Sequence, residues 1–259
     1  MVKLLGKLFK GNTLYYPGCL TKTVAKDIEA NYKKLLSEAG VDFIMLKDSE
    51  VCCGRPILNA GNRKDAIELA KKNFNIFKEH GVKKIITACP ACYQTFLKDY
   101  PALVPGWDIE VEFAMITLDK AIKSGKLKVV KLSESASGKK EKVTYHDPCH
   151  LSRVCNIYDE PRKVIKSTGV EIKEMKLSRN YSFCCGAGSG VRNNYPEIAH
   201  AIGKERIMMA KETGADVLVT PCPMCYMHLK DNSDGKIKVK EASQMLVEDV
   251  EKDAKGGRK

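Results

Sequence analysis

Residues 84–92 read KIITACPAC, and residues 217–225 read VLVTPCPMC. Each is a short apolar run, rich in β-branched side chains, that ends in a C-P-x-C box. The run reads as a buried strand. The proline after the first cysteine reads as the opening of a helix, because the first helical turn does not need the N–H that proline lacks. Working outward, the flanks repeat as well. Thr13 to Tyr16 and Val143 to His146 read as strands, each just ahead of a cysteine, Cys19 or Cys149. A cysteine pair followed by glycine, Cys52-Cys53-Gly54 or Cys184-Cys185-Gly186, precedes a long helical stretch, Lys64 to Glu79 or Pro196 to Glu212. Ile67, Ala70, Phe74 and Phe77 in the first stretch, and Ile198, Ala201, Ile202 and Ile207 in the second, mark the expected apolar faces. Gly81 and Gly214 end those helices.

Beyond the boxes, helices begin at Ala91 and Met224. Each half then closes with one more strand–helix unit: Ile109 to Phe113 with Ala114 to Lys123, and Ile237 to Val239 with Glu241 to Val250. Equivalent cysteines are offset by 130 (Cys19 to Cys149), 132 (Cys52 to Cys184) and 133 residues (Cys89 to Cys222). Strand–helix alternation predicts parallel sheets. The fold expected is α/β, two duplicated α/β units with mainly parallel sheets, related by a pseudo-twofold. The expected partition is a basic amphipathic arm at 1–12, a first half at 13–132, a polar linker at 133–142, a second half at 143–251 and a basic tail at 252–259. In the arm, Val2, Leu4, Leu5, Leu8 and Phe9 stand among three lysines, a pattern that suits a docking or interfacial segment.

The 259 residues are 44% hydrophobic, enough to bury a substantial core. No apolar run approaches the ~18 residues of a membrane span. The formal charge of +12 counts every cysteine as neutral, whereas metal-bound cysteines are thiolates. The lysines are scattered and no recognition motif accompanies them, so nucleic acid is not expected as a partner. A cytoplasmic location is expected, with attachment to the inner face of the membrane through a partner subunit as a second arrangement. In a reducing compartment, clustered cysteines read as metal ligands before disulfides.

Ten of the eleven cysteines fall into two sets of five: Cys19, Cys52, Cys53, Cys89 and Cys92, then Cys149, Cys184, Cys185, Cys222 and Cys225. The members next to strands lie just past carboxyl ends, where ligands sit in parallel α/β sheets. Helices opened by the boxes favour thiolate and cluster charge there. Structural zinc takes four ligands, and so does an ordinary cubane iron–sulfur cluster. Adjacent cysteines point apart in extended chain and suit two neighbouring metal atoms better than one. Five thiolates therefore point to a larger or thiolate-bridged cluster, with zinc in one half left open.

Around these sets, His150 follows Cys149 directly and His146 precedes it by three residues; an imidazole there is placed to move protons. Arg55, Arg153 and Arg192 lie near the cysteines or the glycine turn at 186–190, positioned to grip an anionic substrate. Cys155 reads as a buried thiol outside the ligand set.

The duplicated CCG motif, the paired C-P-x-C boxes and the second-half run YHDPCHLSRVCNIYDEPRKVI with FCCGAGSGVRN resemble the cysteine-rich (CCG) domain proteins. That family includes the catalytic subunits of heterodisulfide reductase and the iron–sulfur subunits of glycolate and lactate dehydrogenases. The resemblance spans about residues 13–250. It implies two noncubane 4Fe–4S clusters, one per set of five cysteines, and an iron–sulfur oxidoreductase subunit that reduces a disulfide of the coenzyme M–coenzyme B type. His150 would be the catalytic residue. The same resemblance leaves two other readings: an electron-relay subunit of a flavin-dependent glycolate/lactate-type dehydrogenase, and a zinc-stabilised scaffold without activity. Some relatives carry a ferredoxin module with C-x-x-C-x-x-C-x-x-x-C-P runs, which this sequence does not have. The expectation is electron delivery by a ferredoxin-like iron–sulfur, flavoprotein or cytochrome b subunit, with a small thiol/disulfide or a quinone as substrate.

Overall fold

A computed structural model of the protein describes residues 11–129 and 141–247. Most of the N-terminal arm, most of the linker and all of the basic tail lie outside the described residues.

Two fully parallel sheets form. The first runs β1 (Asn12–Tyr16), β2 (Val82–Thr87), β3 (Glu110–Phe113) in spatial order. The second contains β4 (Lys142–Tyr145), β5 (Glu171–Lys173), β6 (Val217–Thr220) and β7 (Lys238–Glu241), in the order β5-β4-β6-β7. Strands β1-β2-β3 correspond to β4-β6-β7. Where β5 flanks β4, the first half has a single parallel bridge from Leu14 to Ile44. Both halves therefore share one strand order, and the duplicated α/β reading holds. Two helices absent from the sequence reading, Lys26–Glu38 and Asp159–Ser167, follow β1 and β4 at matching places in the two halves and bury apolar residues in the shared core.

The long helices lie where the periodicity places them, at Arg63–Glu79 and Pro196–Lys211. In the first, Ala70, Phe74 and Phe77 are buried as expected. The second is a correction: Ile198 is 55% exposed, and the buried face is Ala199, Gly203, Arg206, Ile207 and Ala210. Small residues decide this face. A Cβ at Gly203 would stand 2.8 Å from Asn232 Nδ2 and 3.0 Å from His228 Nε2, so the glycine lets this helix close onto Pro223–Asp231. Apolar periodicity alone does not register a buried arginine beside a buried glycine.

One core runs through both halves, joining Tyr15, Ile86 and Phe113 to Val143, Tyr145 and Val219. The contacts across the seam are reciprocal. Helix Pro90–Gln94 of the first half packs on the turn His150–Val154 of the second, and helix Pro223–Asp231 of the second packs on Cys19–Thr23 of the first. Helix Ala114–Lys123 meets Asp159–Ser167. In the matching place, the helical residues 242–247 reach Lys26–Glu38 through Ser243–Asn31 (3.4 Å) and Gln244–Asp27 (3.3 Å). Such paired exchange of contacts is what a twofold between duplicated units produces.

Candidate metal centres

Each set of five thiols gathers at the carboxyl end of its sheet. Cys19 starts a helix three residues past β1, and Cys149 sits four residues past β4. Cys89 and Cys222 are the caps of helices Pro90–Gln94 and Pro223–Asp231, each two residues past its strand, β2 or β6. The adjacent pairs enter from loops. In the first half the thiols form a continuous chain, Cys19 to Cys52 to Cys53 to Cys92 to Cys89. The second repeats it residue for residue, Cys149 to Cys184 to Cys185 to Cys225 to Cys222, with Cys185 and Cys225 sulfurs 3.3 Å apart. Cys155 stands outside both chains, half-buried against the shared core, and burial pushes its thiol up.

Glycines make the gathering possible. Gly18, at φ +84°, has room for hydrogen alone, since a Cβ there would lie 3.1 Å from Cys92 Sγ. Gly186 sits at φ +93°, and a Cβ would meet Ala199 O at 2.8 Å. In both halves the glycine after the pair turns its N–H back to the first thiol, Gly54 to Cys52 at 3.5 Å and Gly186 to Cys184 at 3.4 Å.

Those contacts set the ionisation pattern. Hydrogen bonds from Cys19 and Cys53 lower Cys52 to about 2. Cys184 is likewise lowered, by Cys149 and then Cys185. The thiol of Cys92, then backbone N–H groups of the helix start, lower Cys89. Donating to Cys52 raises Cys53 to about 12, and Cys185 is raised to about 12 in the same way by Cys184. Five thiolates cannot ionise together in so small and dry a space without cations among them. This donor set is all sulfur, with Cys53, Cys92, Cys185, Cys222 and Cys225 buried and Cys19 exposed; it fits soft metal in a polynuclear thiolate-ligated cluster and exceeds what one tetrahedral ion uses.

His150 bridges the two sites. Its Nδ1 lies 2.5 Å from Gln94 Oε1 of the other half; an amide oxygen accepts, so Nδ1 carries the proton and Nε2 keeps its lone pair. Burial, then the charge of Arg55, lowers its pKa, while Cys184 opposes the shift. Both seam segments next to it, Thr95–Asp99 and His150–Val154, wind as π-turns, and Lys98 Nζ ties them by donating to Val154 O at 2.5 Å. Arg55 is buried, donating to Thr95 Oγ1 at 3.0 Å and pairing with Asp99. Arg153 donates to Ser182 O at 3.2 Å, and its charge also acts on His150. Arg192 is held elsewhere, on Asp231 at 2.6 Å. The three arginines therefore do not converge on one site.

Two groups that the sequence reading did not single out shape the second half. Asp147 receives Arg162 at 2.7 and 2.8 Å and the Arg179 N–H at 2.8 Å. Arg206 is fully buried and donates to His146 Nδ1 at 3.0 Å.

Comparison with known proteins places the chain in a family. The cysteine-rich domain family, CCG, matches residues 13–97 and 143–230, and the chain belongs to it. Over 244 residues it is 34% identical to a subunit of the dihydromethanophenazine:CoB–CoM heterodisulfide reductase of Methanosarcina acetivorans, covering 92% of this chain and 58% of that protein. It is 33% identical to a subunit of the fumarate reductase (CoM/CoB) of Methanothermobacter marburgensis, covering 90% and 45%. The probable iron-sulfur-binding oxidoreductase FadF of Bacillus subtilis matches at 33%, covering 87% and 32%. The chain thus spans between about a third and three-fifths of these relatives' lengths. A glutamate racemase from Bacillus anthracis superposes at a TM-score of 0.39 with 11% identity, over 96% of this chain and 83% of its own. That likeness is too loose to carry an argument about chemistry. Among the described residues no helix is long and apolar enough to cross a membrane.

Proposed function

We propose that the chain is an iron–sulfur redox subunit that reduces a disulfide at the seam between its halves, of the coenzyme M–coenzyme B kind named in its heterodisulfide reductase relatives. The reciprocal placement of two five-thiol sets carries this reading, because each set's first cysteine segment packs on the other half's C-P-x-C helix. When bound, two noncubane 4Fe–4S clusters would supply the two electrons that splitting an S–S bond requires. Cys19, Cys52, Cys53, Cys89 and Cys92 would hold one, and Cys149, Cys184, Cys185, Cys222 and Cys225 the other. His150, steered by Gln94, keeps Nε2 open to take up a proton and pass it to a departing thiolate. Arg55, fixed by Thr95 and Asp99, acts as a stationary positive charge at the seam that favours a thiolate leaving. Electrons would come from a ferredoxin-like, flavoprotein or cytochrome b partner subunit.

A 34% identity over 264 residues to the EtfAB:quinone oxidoreductase of Syntrophomonas wolfei favours a second reading, in which the same two sites relay electrons to a quinone and cleave nothing. Anaerobic protein supplied with reduced viologen dye and the coenzyme M–coenzyme B heterodisulfide separates the two. The expected result is release of two thiols per disulfide, slowed roughly a hundredfold or more in His150→Gln at unchanged iron content. Dye oxidation by a quinone with no thiol release would select the relay.

A further inference from the structure

His146 is 1% exposed, and its Nε2 is a buried atom with no hydrogen-bond partner among the described residues. One of its ring nitrogens and the sulfurs of Cys185 and Cys225 all lie within 4.8 Å of one another. The hydrogen bond at Nδ1 settles the tautomer. Nδ1 takes a hydrogen bond from Arg206 Nε at 3.0 Å, and a guanidinium can only donate, so the ring proton of the neutral imidazole sits on Nε2. Arg206 is lowered to about 10 by burial, with Asp147 and the thiols of Cys225, Cys185 and Cys184 opposing the shift, and stays a cation at neutral pH. Its Nη1 donates to Leu177 O at 2.9 Å and Met209 Sδ at 3.7 Å, and its Nη2 to Ser182 Oγ at 3.1 Å.

This leaves a buried N–H without a partner, on a ring that lies beside the Cys185 and Cys225 sulfurs. We infer that His146, locked by Arg206, donates an N–H···S hydrogen bond from Nε2 to the Cys185/Cys225 side of the second site and gives that site the higher reduction potential of the two. The inference rests on reading the ten cysteines as cluster ligands. A donor to sulfur stabilises the more negative, reduced state, which raises the potential. Reduction adds one electron to the site, and the N–H proton stays on the ring throughout. Service as a metal ligand is excluded by the same geometry. A metal at Nε2 would need the proton on Nδ1, where it would face the Arg206 N–H with two donors and no acceptor.

Among the described residues the first half has no counterpart. Tyr16 stands 130 residues before His146 and faces the thiols of Cys92 and Cys53, but its hydroxyl donates to Val51 O at 2.6 Å. The two cysteine sets repeat, whereas the donor beside them does not. Electrons entering the pair would settle first on the second site.

The test is an EPR-monitored potential titration of wild-type protein, His146→Phe and His146→Gln, each with its iron content, using Cys185→Ser to assign the second-site signal. Wild type should show two couples, the higher one lost in Cys185→Ser and carrying a weak nitrogen coupling in pulsed EPR. In His146→Phe that couple should fall by about tenfold in its reduction equilibrium, 59 mV for one electron, with iron retained and the first couple in place. His146→Gln, which restores an N–H, should recover part of the shift. An unmoved couple with iron retained, or a wild-type second-site signal without nitrogen coupling, overturns the inference alone. A coupling of ligand strength, or selective iron loss from the second site in His146→Phe, would make His146 a ligand and overturn it as well. Wild-type protein that binds no iron overturns the cluster reading, and the inference with it.

Discussion

Cys185→Ser should lose the second metal site and keep the first. Cys185 is 4% exposed and sits in the middle of its thiol chain, between Cys184 and Cys225, with the latter 3.3 Å away. Serine is nearly isosteric, so the fold should survive. Its hydroxyl does not ionise near neutral pH, and a neutral oxygen is a poor ligand for soft, thiolate-loving metal. Anaerobically prepared Cys185→Ser should carry about half the iron and sulfide of wild type, with one EPR signal gone and the other unchanged. Cys53→Ser, at the matching place in the first chain of thiols, should remove the other signal. Spectra identical to wild type in both variants would contradict the assignment of ligands.

Arg162→Met should be the most destabilising of the conservative changes in the second half. The guanidinium binds Asp147 through two hydrogen bonds and Glu174 at 2.6 and 2.9 Å, and it lies over the Tyr145 ring at 4.4 Å. Side chains of Arg162 and Asp147 are 4% and 1% exposed. Removing the arginine strands a buried carboxylate whose remaining partner is the Arg179 N–H. Breaking a buried pair from one side costs about 3–5 kcal/mol. For a chain of this size that is a drop in Tm on the order of 10 °C. Since Asp147 lies between His146 and Cys149, the loosened segment should also release iron from the second site sooner on warming. Arg162→Met combined with Asp147→Asn should regain part of the loss, because the buried carboxylate no longer stands without its arginine. A melt of the single variant within about 1 °C of wild type would contradict this account.

How much of this was legible in the sequence follows from what kind of interaction holds each part. The two thiol sets could be placed because each lies on local grammar: an apolar run, a C-P-x-C box, a helix. Strand direction then brings Cys89 and Cys222 to the same sheet end as Cys19 and Cys149. The edge strand β5, Glu171–Lys173, escaped because three residues with a single apolar side chain, Ile172, carry no readable alternation. Helix Lys26–Glu38 buries Ile28, Tyr32, Leu35 and Leu36 at helical spacing and was present in the pattern. The pairs that tune the site were out of reach for another reason. His146 and Arg206 lie far apart in the chain, and the π-turns at Thr95–Asp99 and His150–Val154 belong to different halves; only the tertiary fold brings them together. Arg206 was also masked by its helix, whose apolar residues suggested a face rotated away from the buried one.

The central claim is that this chain holds two iron–sulfur sites, one on each set of five cysteines. Iron, sulfide and zinc measured per chain on protein purified under strict anaerobiosis test it most directly. The account predicts about eight iron and about eight sulfide, four of each per 4Fe–4S cluster, with no stoichiometric zinc. Zinc at one or two per chain with neither iron nor sulfide would contradict it.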